Sequence, residues 1–165
     1  MAGGDRETLI EEVIAALRAD GSARDALDQA VADRLRINLT DLRCLDVLEQ
    51  HGTSTPGEIA TALGLTSGAV TTLLDRLENR GYVQRRRDAQ DRRRVFVEPT
   101  AYAHRLAGEL YGPIGTEGRA LLAELSPRDL ALLRDFMRRS RELQLRHEAR
   151  IRSQPPAAPR APPAR

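Results

Sequence analysis

The chain has 165 residues with a formal net charge of +2, 41% hydrophobic residues and 30% charged residues, a composition typical of a folded domain with a charged surface. No apolar run approaches the roughly 20 residues of a membrane span, and the N-terminus lacks the basic and apolar regions of a secretory signal. We therefore expect a cytoplasmic protein without membrane contact. With a single cysteine and three histidines that share no ligand spacing, neither a disulfide nor a metal or other cofactor is expected.

The first part of the chain carries apolar stripes with helical spacing. One helix is predicted over residues 8–17. A break is predicted at Gly21, with Ser22 as the N-cap of a second helix. A further helix is predicted to begin near Thr40 and to close at Gly52.

The clearest helix signals mark a pair of short helices in the middle of the chain. Thr55, Pro56 and Glu58 have the pattern of an N-cap, a proline at the first helical position and a capping-box partner. Gly64 is placed to end this helix in the left-handed conformation. Thr66 can cap the next helix almost at once, and so short a connection is typical of a helix-turn-helix.

Two short segments with alternating or β-branched residues follow, at 82–85 and 95–98, and predict a hairpin. The loop between them, 86–94, is rich in arginine. From Arg76 to Arg94 the sequence has eight arginines and three acidic residues, so the hairpin is locally basic. Since none of the 26 basic residues is lysine, a coding bias towards arginine is an alternative explanation, and the loop would then be only a solvated, charged loop.

The second helix of the pair is predicted to bury Ala69, Val70, Leu73 and Leu77 and to expose a short polar face. Short polar side chains on the N-terminal half of an exposed helix suit base reading in a DNA major groove. An arginine-bearing hairpin tip has the shape to enter a minor groove. The residues predicted to contact DNA are Thr66, Ser67, Gly68, Thr71, Thr72, Asp75, Arg76, Arg92, Arg93 and Arg94.

The C-terminal third is predicted to be helical. Thr100 can cap a helix that Gly112-Pro113 interrupts, and Ser126 has the position of an N-cap before Pro127 in the last helix. From residue 153 onwards the chain is rich in proline and alanine, and we predict a disordered tail.

The stretch from about Leu39 to Thr100 resembles the MarR family of bacterial transcriptional regulators. The resemblance rests on PGEIATALGLTSGAVTTLLDRLENRGYV and on DAQDRRRVFVEPT. Asp91 and Arg93 match the family's wing pattern of Asp, any residue, Arg. Pro99 stands where the family has a leucine, and the glycine that usually follows Thr100 is absent, which questions the turn into the next helix.

This resemblance implies an obligate homodimer, assembled by the terminal helices, on a pseudo-palindromic DNA operator. It implies that Arg93 enters the minor groove, that Asp91 supports the wing, and that Asp75 matches an acidic position that pairs with a wing arginine in some relatives. Many family members are released from DNA by a small-molecule effector or by cysteine oxidation. An effector pocket would lie between the dimerisation helices and the winged domain, with Tyr102, His104 and Tyr111 as candidates, although a structural role is the favoured interpretation of each.

Cysteine oxidation is the less favoured switch for this chain. Cys44 lies among apolar residues of its predicted helix, so we expect a small core residue. A redox sensor requires an exposed thiolate with a lowered pKa.

The fold predicted from these patterns is mainly α with a small β-hairpin wing: a winged helix-turn-helix flanked by long dimerisation helices. The predicted divisions are 1–38 and 101–152 for dimerisation, 39–100 for DNA binding and 153–165 for the tail. We expect a DNA-binding repressor and not an enzyme, since no nucleophile–base pair or phosphate-binding glycine loop is found. The alternative is a winged-helix module for protein–protein assembly, with the arginines facing an acidic partner.

Overall fold

The computed structural model describes residues 2–88, 91 and 94–155. The predictions for Arg92, Arg93 and residues 156–165 of the tail lie outside this part of the chain. Within it, helices and one hairpin follow in the order α1 (Ala2–Leu35), α2 (Leu39–His51), α3 (Pro56–Leu63), α4 (Ser67–Asn79), β1 (Val83–Arg87), β2 (Val95–Pro99), α5 (Ala101–Ala123) and α6 (Pro127–Arg152). The predicted mainly helical fold with a hairpin wing is confirmed.

Two predicted helix breaks are wrong. The helix α1 runs through Gly21 and Ser22 without interruption, and α5 continues through Gly112 and Pro113. A glycine inside a helix costs about 1 kcal/mol relative to alanine and a proline about 3 kcal/mol. Helices of 34 and 23 residues continue through such residues, because many other hydrogen bonds remain.

The chain divides between Gly112 and Pro113 into two compact units. The first contains α1 to α4, the hairpin and the first half of α5, and the second contains the rest of α5 and α6. The predicted divisions at residues 38, 100 and 152 concern roles in dimerisation and DNA binding, and they stay predictions. In the part of the chain described here, no helix has the length and apolarity to cross a membrane.

The core of the first unit lies between the end of α1 and the three short helices. Its largest fully buried side chains include Leu48 of α2, Ile59 of α3, and Leu73, Leu74 and Leu77 of α4. Burying each such side chain contributes about 1.5–3 kcal/mol. The helix-turn-helix pair therefore rests on α2 and α1 as one packed body.

The predicted helix caps around α3 are confirmed. The Thr55 hydroxyl oxygen accepts from the Glu58 backbone N–H at 3.3 Å, and the Thr55 N–H donates to the Glu58 carboxylate at 2.7 Å. Gly64 ends the helix with φ of 65°, the left-handed conformation that glycine adopts without strain. A second capping box, between Asn38 and Asp41 at the start of α2, is not among the sequence predictions.

The hairpin is antiparallel, with Val83 opposite Pro99 and Arg87 opposite Val95. Ser54 adds a short bridge to its inner side, exchanging backbone hydrogen bonds with Val97 at 3.0 and 2.8 Å. This bridge attaches β2 to the segment between α2 and α3.

The turn from the wing into α5 forms despite Pro99. The Thr100 hydroxyl donates to the Gly81 carbonyl at 2.6 Å, and the Thr100 N–H donates to the Tyr82 carbonyl at 3.0 Å. The same hydroxyl oxygen accepts from the Ala103 N–H at 3.1 Å, so the predicted cap by Thr100 is confirmed. The chain thus returns at Thr100 to the point where it left α4.

Replacing Thr55 with alanine should lower the free energy of unfolding by about 1 kcal/mol, because the N-terminal amides of α3 lose their cap. The measurement is urea denaturation at one fixed protein concentration. The matched control is Thr53→Ala, at an exposed threonine outside the cap, which we expect to change stability by less than about 0.5 kcal/mol. Equal effects of the two substitutions would contradict the capping role.

Candidate nucleic-acid interface

One side of α4 carries a row of exposed small and polar residues. Thr66 precedes the helix as N-cap, and its hydroxyl oxygen accepts from the Ala69 N–H at 3.3 Å. The hydroxyls of Thr71 and Thr72 donate to carbonyls one turn earlier, at 3.0 and 3.1 Å, which leaves their oxygen lone pairs available. The exposed residues of this row, called the α4 face below, are Ser67, Gly68, Thr71, Thr72 and Asp75.

The prediction that Ala69 is buried is wrong. The first turn of α4, from Ser67 to Ala69, is wholly exposed, and the buried stripe begins only at Val70. The helix N-terminus therefore extends beyond the core. An exposed alanine next to Gly68 keeps the α4 face shallow, which permits close approach of another molecule.

Arg76, one turn beyond Thr72, forms an ion pair with Asp41. Its guanidinium makes two bonds to the Asp41 carboxylate of α2, Nε to Oδ2 at 2.8 Å and Nη2 to Oδ1 at 2.5 Å. The Asp41 side chain is fully buried, whereas that of Arg76 is 38% exposed. Hydrogen bonding to Asp41 raises the pKa of Arg76. This pairing gives Arg76 a structural role, and its predicted contact with DNA stays a prediction.

The opposite edge of the α4 face is held from the wing. Arg85 of β1 bonds with Nη2 to the Asp75 carboxylate at 2.6 Å and with Nη1 to the Glu78 carboxylate. Its backbone N–H also donates to Glu78, at 3.3 Å. Sequence reasoning missed Arg85. The signal available was the pair of acids three residues apart on α4, which can share one cation.

The wing tip is described at Asp88, Asp91 and Arg94. The Arg94 N–H donates to the Asp91 carbonyl at 2.9 Å, and the Asp88 N–H donates to the Arg94 carbonyl at 3.0 Å. The Arg94 guanidinium lies 5.3 Å from the centre of the Phe96 ring, within the range of a cation–π contact. Asp91 thus belongs to the turn that closes the wing, and its supporting role for Arg93 stays a prediction.

Cys44 lies in the core of the first unit, on α2, and is fully buried. Burial, and secondly the charge of Asp41, raise the pKa of its thiol to about 12. The prediction of a core cysteine is confirmed.

A small apolar pocket of about 90 Å³ lies within the first unit, where α2 faces α5. Tyr111 is the one of the three predicted effector residues that lines it, and burial raises the pKa of its hydroxyl to about 12. The Tyr102 ring instead stacks on the Tyr82 ring, with 5.8 Å between the ring centres. His104 Nδ1 lies 3.1 Å from the Glu49 carboxylate oxygen Oε2. The residues lining the pocket are Leu35, Leu42, Leu45, Asp46, Glu49, Tyr82, Pro99, Ala103, Leu106, Ala107, Leu110 and Tyr111.

Comparison with known proteins gives the same assignment as the geometry. Residues 37–95 match the model of the MarR family. YcgE of Bacillus subtilis, described as an uncharacterized HTH-type transcriptional regulator, is 33% identical over 138 residues, which are 84% of this chain and 90% of YcgE. The chain belongs to the MarR family. It is a MarR-family transcriptional regulator, and this family consists of regulators rather than enzymes.

Solved structures of MarR-family proteins have the same fold. NadR in complex with 4-hydroxyphenylacetate is 26% identical, with a TM-score of 0.54 over 72% of this chain and 86% of NadR. The complex of S. aureus MepR with DNA is 22% identical, with a TM-score of 0.55 over 77% of this chain and 96% of MepR. The similarity to MepR shows a shared fold.

The buried thiol leads to a direct chemical prediction. At neutral pH the Cys44 thiolate population should be roughly three orders of magnitude below that of an exposed cysteine. Iodoacetamide should therefore modify the native protein very slowly and the urea-unfolded protein rapidly, as followed by mass spectrometry. Rapid modification of the native protein would show that solvent reaches Cys44. The variant Cys44→Ser should leave any response of DNA binding to peroxide unaltered.

Proposed function

We propose that this chain is a homodimeric repressor that acts in the cytoplasm on a pseudo-palindromic DNA operator. The α4 face reads the major groove, and the arginine-rich wing enters the adjacent minor groove. The observation that carries this proposal is the exposed α4 face, uncharged apart from the paired Asp75, beside a basic hairpin that is tied to the same helix. A groove reader needs this combination of short polar groups and nearby positive charge.

The α4 face has the chemistry of base readout. The Ser67 hydroxyl can donate to or accept from a base edge, and the Thr71 and Thr72 hydroxyls, which already donate within the helix, can accept from one. Gly68 has no side chain and nothing within 4 Å of its Cβ position, so the duplex can approach closely there. The N-terminus of α4, capped by Thr66, suits a phosphate oxygen.

The ion pairs improve the electrostatics of this face. Asp75 would repel the phosphate backbone as a free carboxylate, but its ion pair with Arg85 at 2.6 Å, a cation that it shares with Glu78, reduces this repulsion. Arg87 and Arg94 of the wing are exposed, so they are accessible to a phosphate or a minor groove. We assign minor-groove contact to Arg92, Arg93 and Arg94, a role that rests on the sequence pattern for the first two.

Exposed apolar side chains on the long helices support dimerisation. In α1, Leu9 is 59% exposed and Val13 43% exposed. In the second unit, exposed apolar residues recur at helical spacing. Apolar runs of this size are costly in water, and a second copy would bury them by twofold symmetry. The exposed residues concerned are Leu9, Val13, Ile14 and Leu17 of α1, and Leu121, Leu122, Leu133, Phe136, Met137, Leu143 and Leu145 of the second unit.

The alternative, a protein-assembly module, finds less support in α4. A helix that docks on protein exposes apolar or aromatic anchors at its centre. The α4 face instead presents Ser67, Thr71 and Thr72.

The deciding experiment selects duplexes from a random-sequence pool with the purified full chain. A two-fold-symmetric site of about 20 base pairs is expected, because two recognition helices of a dimer lie about 34 Å apart, one turn of DNA. Sedimentation should give twice the chain mass of 18.3 kDa for the free protein. Affinity for the selected duplex should fall steeply with salt. No selected sequence and a shallow salt dependence would favour the assembly module.

The same assay tests the wing by substitution. Arg93→Ala should weaken binding to the selected duplex by about tenfold, the effect of one lost minor-groove contact worth about 1.4 kcal/mol, and leave thermal stability unchanged. The matched control is Arg24→Ala on α1, an exposed arginine paired only locally with Asp20, which should bind normally. Equal affinities of both variants would contradict the wing assignment.

We further propose that a small effector in the α2–α5 pocket releases the DNA. The charged residues that line the pocket in the described part of the chain are Asp46 and Glu49, both acidic. Burial, followed by the charge of Asp28, raises the pKa of Asp46. A phenolic acid such as the 4-hydroxyphenylacetate in the NadR complex would meet carboxylates here, so a small aromatic amine fits the charge better.

Two probes of the same shape and opposite charge test this proposal. Tyramine should release the selected duplex at a lower concentration than 4-hydroxyphenylacetate, because its ammonium group faces the two carboxylates. The substitution Asp46→Asn should bring the releasing concentrations of the two probes closer together. Release by the acid alone would contradict the charge argument, and release by neither probe would contradict an aromatic effector of this size.

A further inference from the structure

We propose that Asp41 is a positioning residue for DNA recognition, and that its ion pair with Arg76 sets the rotation of α4 and thereby the alignment of the α4 face. The inference rests on the proposed DNA-binding function. It also gives Arg76 a different role from the one predicted from sequence, as a link between α4 and α2 rather than a contact to DNA.

The Asp41 carboxylate is fixed on its own helix before it meets Arg76. Asp41 is the third residue of α2, and its backbone N–H donates to the Asn38 side chain at 2.8 Å. In return its carboxylate lies 3.5 Å from the Asn38 N–H. The capping box therefore holds the carboxylate in one place, fully buried between the helices.

Arg76 completes this arrangement from 35 residues away in sequence. Both of its bonds use separate nitrogens on separate carboxylate oxygens, at 2.8 and 2.5 Å. A bidentate pair of this kind is directional as well as strong. The pair fixes the orientation of the guanidinium, and thereby the rotation of α4 about its own axis, more narrowly than aliphatic packing does.

The position of Arg76 on α4 explains why the α4 face depends on it. Arg76 follows Thr72 by one helical turn and stands at one edge of the face. Arg85 of the wing bonds to Asp75 within the face and to Glu78 towards its other edge. The face is thus fixed at both edges, by α2 on one side and by the wing on the other. Base reading tolerates displacements of only about 0.5 Å.

Stability alone is a weaker explanation for this pair. A buried ion pair is often no more stable than well-packed apolar residues of similar volume. The neighbouring core already contains fully buried leucines at Leu48, Leu73 and Leu77. A polar pair at this place therefore points to a requirement for orientation.

The test compares binding of three full-length variants to the duplex that the unmodified protein selects and to a scrambled duplex of the same composition. Asp41→Asn should lower affinity for the selected duplex about tenfold, the discrimination of one base contact. Its affinity for the scrambled duplex should not fall, because the substitution removes a negative charge. The control Asp33→Asn, at an exposed aspartate of α1, removes the same charge and should bind the selected duplex as the unmodified protein does.

Arg76→Lys provides a second measurement that does not depend on the folding of the Asp41 variant. Lysine keeps the positive charge but cannot form the bidentate pair. The affinity of this variant for the selected duplex should therefore also fall about tenfold. Unchanged affinity of Arg76→Lys would identify Arg76 as a simple cationic contact and overturn the proposal. If Asp41→Asn lowered the affinity for both duplexes equally, the proposal would be overturned as well, since misfolding would then be the cause. If the unmodified protein selects no duplex, the proposed function fails, and this inference fails with it.

Discussion

The structure of the first unit depends on how α4 divides its surface between core and water. Val70, Leu73, Leu74 and Leu77 are buried, and they require α4 to lie against α2 and α3 with one fixed stripe inwards. The small polar residues then face outwards because they occupy the remaining positions of the helix. The first turn extends beyond the core, so the N-terminal amides of α4 are accessible too. This packing gives the helix its position against the core, and the ion pairs of Arg76 and Asp75 add constraints on its rotation.

Arginine serves two different purposes in this small unit. Arg76 and Arg85 form ion pairs with acidic residues and hold α4 from two sides. Arg87 and Arg94, at the ends of the two wing strands, are exposed and provide positive charge towards solvent. The first use needs a planar, forked donor with a fixed partner, and the second needs only charge and reach. A count of basic residues in the sequence mixes these two uses, which is why the local charge overstates the number of arginines available to a polyanion.

The sequence was informative wherever structure is determined by neighbouring residues. The caps at Thr55, Thr66 and Ser126, and the hairpin after α4, follow from local hydrogen bonding and side-chain alternation, and these predictions hold. Gly21 was misread because a single glycine is a weak signal inside a long helix.

The ion pair between Arg76 and Asp41 could not be predicted in the same way. The partner of Arg76 is 35 residues distant, and pairing at that distance depends on how α2 packs against α4. The exposure of Ala69 likewise depends on where the core ends, which periodicity alone does not show.

The hydrogen bonds from Thr100 to Gly81 and Tyr82 have a consequence for how this architecture varies. The wing begins and ends at the same point of the helical base. The position of α5 relative to α4 is therefore set by the bonds of Thr100 and does not depend on the length of the hairpin. A hairpin extended or shortened by whole residue pairs would keep the same closure, and α5 would begin in the same place. The reach of the wing is therefore a separate variable from the geometry of the helices, open to change without rebuilding either of them.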